Sequence, residues 1–145
     1  MNNKLELVWF EKEKMHNVEP RPLIEISELS HEANKEGRNG GYCDNMLIHG
    51  DNLLALKSII PFFAGKIKAI YIDPPYNTGA AFDHYNDNLE HSTWLSLMRD
   101  RIVLLKQLLS DDGFLFVQID DQTTTNMILI IKSLFVGKPL ISIGI

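Results

Sequence analysis

The order of hydrophobic and polar positions changes character near residue 45. Before it, apolar and charged residues mix without a period from 5 to 26, and Glu19-Pro20-Arg21-Pro22 excludes regular structure locally. The stretch 27–45 is polar and ends near Gly37-Arg38-Asn39-Gly40-Gly41, the composition of a loop. Beyond it, Met46-Leu47-Ile48-His49 closed by Gly50-Asp51-Asn52 predicts a short strand and a turn. Leu53, Leu56, Ile59 and Ile60 then recur at helical spacing, so Asp51 or Asn52 is expected to cap a helix that Pro61 ends or kinks. The β-prone run 66–72 predicts a buried strand leading straight into Asp73.

A polar loop is expected over 77–91, followed by the clearest helix of the chain. Ser92 or Thr93 is its expected cap, and Trp94, Leu95, Met98, Ile102, Leu105, Leu108 and Leu109 form one apolar face. Arg99, Asp100, Arg101, Lys106 and Gln107 fall on its other side. Asp111-Asp112-Gly113 reads as a turn before a second buried strand over 114–119, which ends in Asp120-Asp121. A last helix is expected from about Thr123–Thr125 to Phe135, although Ile128-Leu129-Ile130-Ile131 gives it apolar residues on every side, so it wants burial all round.

Strands alternating with helices predict an α/β unit with a mainly parallel sheet, preceded by an extension and loop over 1–45. Ligands of open α/β sheets bind at the carboxyl ends of strands, which is where Asp73 and Asp120 stand. Asp120 and Asp121 read instead as solvated strand-end carboxylates.

Composition narrows the class. With 145 residues the chain fits one domain, and its net charge of −5 gives no electrostatic footprint for nucleic acid. A DNA partner would need a local basic patch or residues outside this chain. Cys43 is the sole cysteine, which excludes an internal disulfide framework and a multi-cysteine zinc site and suits a reducing cytoplasm. No apolar run follows a basic amino-terminal stretch, and Lys132, Gly137, Lys138 and Pro139 break the C-terminal apolar run far short of the roughly 18 residues of a membrane span. A cytoplasmic protein is expected.

The chemistry concentrates in Asp73-Pro74-Pro75-Tyr76. Two successive prolines fix φ and remove two donors, so the segment is stiff and its carbonyls are free of local pairing demands. A carboxylate before them and a ring after them are therefore held at a set separation. Such a cradle suits a nucleobase amine, with Asp73 and the Pro74 carbonyl accepting its hydrogens and Tyr76 stacking on the base. Gripping both hydrogens pulls the nitrogen toward tetrahedral geometry and releases its lone pair for attack on an electrophilic methyl. A base within a duplex must be flipped out to reach it.

Asp73-Pro74-Pro75-Tyr76, continued by Asn77-Thr78-Gly79, resembles the catalytic motif of S-adenosylmethionine-dependent amino-methyltransferases. Together with the segments 45–57 and 94–121, it resembles the β-group adenine-N6 DNA methyltransferases, including the modification subunits of type III restriction-modification systems. The resemblance implies a partial doubly wound, Rossmann-like methyltransferase sheet over 46–145. It implies Asp73, Pro74, Pro75 and Tyr76 as catalytic residues, Asp51 as either a cofactor-site residue or a plain helix cap, and S-adenosylmethionine as cofactor. Asp at the motif's first position points to adenine-N6 rather than cytosine-N4.

The family's Phe-x-Gly-x-Gly cofactor segment and its target-recognition region are not found here; Phe135-Val136-Gly137-Lys138-Pro139 comes nearest, and Pro139 spoils it. The apolar end Ile141-Ser142-Ile143-Gly144-Ile145 looks like an internal strand expecting partners. The expectation is therefore a truncated N-terminal fragment, inactive alone, acting on DNA only with a complementing C-terminal fragment, and with a restriction subunit as a possible further partner. A non-enzymatic remnant or assembly module stands beside it.

Overall fold

The computed structural model describes residues 6–30, 45–77, 90–139 and 141. The stretch 37–41, Cys43, most of the loop after Asn77 and the end 142–145 lie outside the described residues. After one 3-10 turn, Ser27–Leu29, come α1 (Asn52–Phe63), β1 (Ile67–Ile72), α2 (His91–Leu108), β2 (Leu109–Val117) and α3 (Asp121–Leu134). β1 and β2 pair in parallel as a two-stranded sheet, with α2 as the crossover between them. The α/β class and the parallel pairing agree with the sequence pattern.

α2 is the hub. Its Trp94, Leu95, Met98, Ile102 and Leu105 are buried together with Met127 and Ile130 of α3, and Leu56, Ile70, Ile72, Leu115 and Val117 pack against that cluster. Full burial of such side chains contributes about 1.5–3 kcal/mol each. The apolar stripe read from α2 is thus the core, except that Leu109 falls past the helix end and opens β2 half-buried.

Several local expectations are corrected. Residues 45–49 form no strand, and Leu47 is 99% exposed; a strand exists through a neighbour's backbone, and none of the described residues supplies one. Pro61 lies inside α1, which continues to Phe63 and closes with the Ala64 N–H donating to Ile60 at 3.0 Å. So near the end of a helix the lost proline donor is a single bond, and the helix tolerates it. α2 starts at His91 behind Glu90, and neither Ser92 nor Thr93 caps it. β2 begins at Leu109, so Asp111-Asp112-Gly113 is no turn between elements but an irregularity within the strand. There the register jumps from Ile67↔Leu109 to Ala69↔Phe114, and two steps along β1 face five along β2. Gly113 is needed at that point, because a Cβ would lie 2.8 Å from the Ile67 carbonyl oxygen.

Arg99 and Asp100, expected on the solvent side of α2, are buried. The chain before α1 covers them. Arg99 donates to Asp100 Oδ1 at 2.6 Å and to the Lys14 carbonyl at 2.8 Å, while the His16 backbone N–H and Nδ1 meet Asp100 Oδ2 at 3.2 and 2.8 Å. Trp9 donates to Ser96 Oγ at 2.8 Å. The aperiodic N-terminal segment is therefore ordered by side-chain hydrogen bonds to α2, which no hydrophobic period reports.

Both strands are buried on one face only. Tyr71, Phe114 and Phe116 remain 64%, 67% and 54% exposed on the other, and of α3 only Thr123, Met127 and Ile130 are fully buried. Among the described residues no second helical layer covers that sheet face. No helix among the described residues is long and apolar enough to cross a membrane.

Candidate functional site

β1 delivers Asp73 at its carboxyl end, and the parallel partner β2 ends beside it. The ladder extends one step beyond the strands, with the Gln118 N–H donating to the Ile72 carbonyl at 3.0 Å. Asp73 is exposed, while Pro74, Pro75 and Tyr76 are partly buried. Asn77 then takes φ 57°, a left-handed conformation that asparagine accepts more readily than other non-glycine residues. The chain thus leaves the strand and runs through two stiff prolines to a left-handed residue at Asn77.

Four side chains meet here. Tyr76 donates its hydroxyl to Asp73 Oδ1 at 2.7 Å, and Gln118 Nε2 donates to the same hydroxyl at 2.9 Å. Gln118 Oε1 accepts from the Tyr71 hydroxyl in a short contact. From below, the buried Trp94 indole donates to the Pro75 carbonyl at 2.7 Å. That oxygen differs from the Pro74 carbonyl assigned to a substrate amine. The hydrogen bond to Asp73, first, holds the Tyr76 phenol above its ordinary value, since a carboxylate acceptor favours the protonated form; the Gln118 donor works against it.

The four predicted motif residues therefore stand together as one unit. Asp51 does not join them by hydrogen bond or ion pair. Its Oδ1 caps α1 by accepting from Leu53 and Leu54 N–H at 3.0 and 3.1 Å, and its Oδ2 lies 3.9 Å from Arg101. It lines an open cleft of ≈ 660 Å³ with His16, Arg21, Leu53, Ser96 and Arg101, and none of Asp73, Pro74, Pro75 and Tyr76 lines that cleft. Asp120 is a helix cap as well, accepting from the Gln122 N–H at 2.8 Å.

The sequence reading missed Gln118 and the hydrogen-bonding role of Trp94. A signal existed for the first: Gln118 is a polar interruption at the end of the apolar run 114–119, at the level of Asp73 once the strands are taken as parallel neighbours. For Trp94 none existed, because a core tryptophan at helical spacing looks the same with or without a partner.

Residues 67–142 match the family described as DNA methylase, and this span holds the motif, Trp94 and Gln118. The chain belongs to the DNA methylase family. It is 46% identical over 101 residues to the probable type III restriction-modification enzyme HindVI Mod subunit of Haemophilus influenzae, covering 70% of this chain and 14% of that protein. It is 30% identical over 149 residues to the EcoPI Mod subunit of Escherichia phage P1, covering 82% of this chain and 22% of that protein. The type II methyltransferase M.EcaI of Enterobacter cloacae is 36% identical over 97 residues, or 63% of this chain and 21% of the other. The matched part of the chain thus spans between about one seventh and one fifth of the length of these relatives.

Proposed function

We propose that this methylase-family chain carries the acceptor half of a DNA adenine-N6 methyltransferase of a restriction-modification system. Asp73 and the Pro74 carbonyl accept the hydrogens of the amine of a flipped-out adenine, and Tyr76 stacks on its ring. The observation that carries this reading is the clamped motif, with Tyr76 on Asp73 and Trp94 on Pro75, each at 2.7 Å. Acceptors held before the substrate arrives need no reorganisation when charge develops on the amine nitrogen. Aspartate at the first motif position favours adenine-N6 over cytosine-N4.

S-adenosylmethionine is the methyl donor of this reading, and the described residues do not fit it. Asp51 caps α1 through Oδ1 and lies in a cleft apart from the motif, and the chain has no Phe-x-Gly-x-Gly segment. Donor binding, DNA recognition and contact with a restriction subunit are therefore assigned to polypeptide outside these residues, in the cytoplasm. The bare aromatic sheet face supports this division, because parallel sheets are almost always covered on both faces. The same bare face favours a second reading, an assembly module without its own chemistry.

The test grafts this chain into a Mod-subunit relative in place of the matching segment. Asp73→Ala should lower methyl transfer to adenine-containing duplex DNA by at least about a hundredfold, with unchanged circular dichroism because Asp73 is exposed. Full activity in that variant would overturn the acceptor role. A graft that assembles but transfers no methyl would favour the module.

A further inference from the structure

We propose that Gln118 is a positioning residue of the acceptor site: its side-chain amide sets the Tyr76 ring against Asp73 and so fixes the surface on which the target base stacks. The inference rests on the acceptor-site reading above and adds a residue from the second strand to it.

A phenol hydroxyl has a single hydrogen. Since Tyr76 gives that hydrogen to Asp73 Oδ1 at 2.7 Å, its remaining bond, to Gln118 at 2.9 Å, must be accepted. Gln118 therefore presents its NH₂ to Tyr76, which leaves its carbonyl for Tyr71, whose hydroxyl donates to it. The chain Tyr71 → Gln118 → Tyr76 → Asp73 runs in one direction, and each bond polarises the next. The amide is anchored from behind, because the Gln118 backbone donates to Ile72 at 3.0 Å at the end of the parallel ladder. Tyr71 sits on rigid strand, paired with Phe116. Tyr76 is thus tied to both strands through one side chain.

An exposed glutamine at a strand end has a plainer role, as a ladder terminus making incidental contacts. The two roles differ in what they do to Tyr76. A ladder terminus holds through its backbone and leaves the phenol alone. A positioning amide restrains the ring and, as a donor, favours the phenolate, in opposition to Asp73.

The test replaces Gln118 by Leu, which keeps the backbone bond and removes the amide, and Tyr71 by Phe, which removes only the donor that orients the amide. With ring-labelled tyrosine, assigned through Tyr76→Phe, the Tyr76 phenol is titrated by NMR in the 145-residue chain. Gln118→Leu should move its midpoint further up and broaden its ring signals, and Tyr71→Phe should do so partially. In the graft, Gln118→Leu should lower kcat by about tenfold, the order of one hydrogen bond, with KM for S-adenosylmethionine unchanged. An unmoved Tyr76 signal in Gln118→Leu would overturn the proposal whatever the activity. A moved signal with unchanged kcat would overturn it too, leaving the acceptor reading intact. A graft inactive even with Gln118 present, joined to a moved Tyr76 signal, would strike the acceptor reading and the catalytic side of this role together.

Discussion

The indole of Trp94, wholly buried in the core, donates to the carbonyl of Pro75 at 2.7 Å. The second proline of the motif is thereby fastened to a fully buried side chain of α2. Replacing Trp94 by Phe keeps most of the apolar volume and removes the donor, so urea denaturation should show a loss of about 0.5–1.5 kcal/mol. Trp94→Ala should cost about 3–5 kcal/mol. If Trp94→Phe matched the parent in stability and in methyl transfer by the graft, the clamp would have no role.

Asp100 makes the attachment of the N-terminal segment sensitive to acid. Burial pushes its carboxyl up, but hydrogen bonds from Arg99 and His16, with the Arg99 charge, outweigh this and hold it below the ordinary carboxylate range. A carboxyl depressed in the folded state contributes stability above its unfolded value, near 3.9, and loses that contribution as pH falls through its folded value. The hydrogen-exchange protection of residues 6–18, relative to intrinsic rates at each pH, should therefore persist at neutral pH and fall below about pH 4. Asp100→Ala leaves the buried Arg99 unpaired and should destabilise the chain by about 3–5 kcal/mol; a loss below 1 kcal/mol would show the network to be incidental.

Gly113→Ala tests the irregular register of β2. Its Cβ would press on the Ile67 carbonyl oxygen at 2.8 Å and on Leu109. Backbone cannot yield as a flexible side chain would, so a cost of about 1–3 kcal/mol is expected in thermal or chemical unfolding. A neutral substitution would mean that the two strands pair differently there.

The exposed aromatic face should matter for assembly more than for the stability of this chain. Phe114→Lys and Phe116→Lys, at 67% and 54% exposure, should each change unfolding free energy by no more than about 0.5 kcal/mol. Methyl transfer by the graft should nevertheless collapse, since buried lysines would then face the covering layer. An active double variant would remove that face from the account.

Calorimetry with S-adenosylmethionine and this chain alone should show no binding heat. Tight binding would mean that this chain holds the donor after all.

Much of this protein was legible in its sequence because hydrophobic period is a local property. The apolar stripe of α2, the strand running into Asp73 and the alternation of strand and helix all follow from residue spacing. The stiff segment Asp73 to Tyr76 was legible for a related reason: consecutive prolines fix their own backbone whatever surrounds them. Other features depended on partners distant in the chain. Residues 46–49 carry a strand-like pattern, yet no neighbouring strand among the described residues gives it a ladder to join. Arg99 and Asp100 look solvated on a helical wheel, and only the docking of Lys14 and His16, some 85 residues earlier, encloses them. Asp51 caps α1, one of the two roles its position allowed, and Asp120, which read as a solvated strand-end carboxylate, caps α3; both caps are local hydrogen bonds within three residues. Gln118 reached Tyr76 only because β1 and β2 lie side by side in parallel. Sequence by itself determined the stiffness of the motif and the period of its neighbours. The tertiary structure decided which side chains hold that motif still, since those hydrogen bonds join residues that share no local pattern.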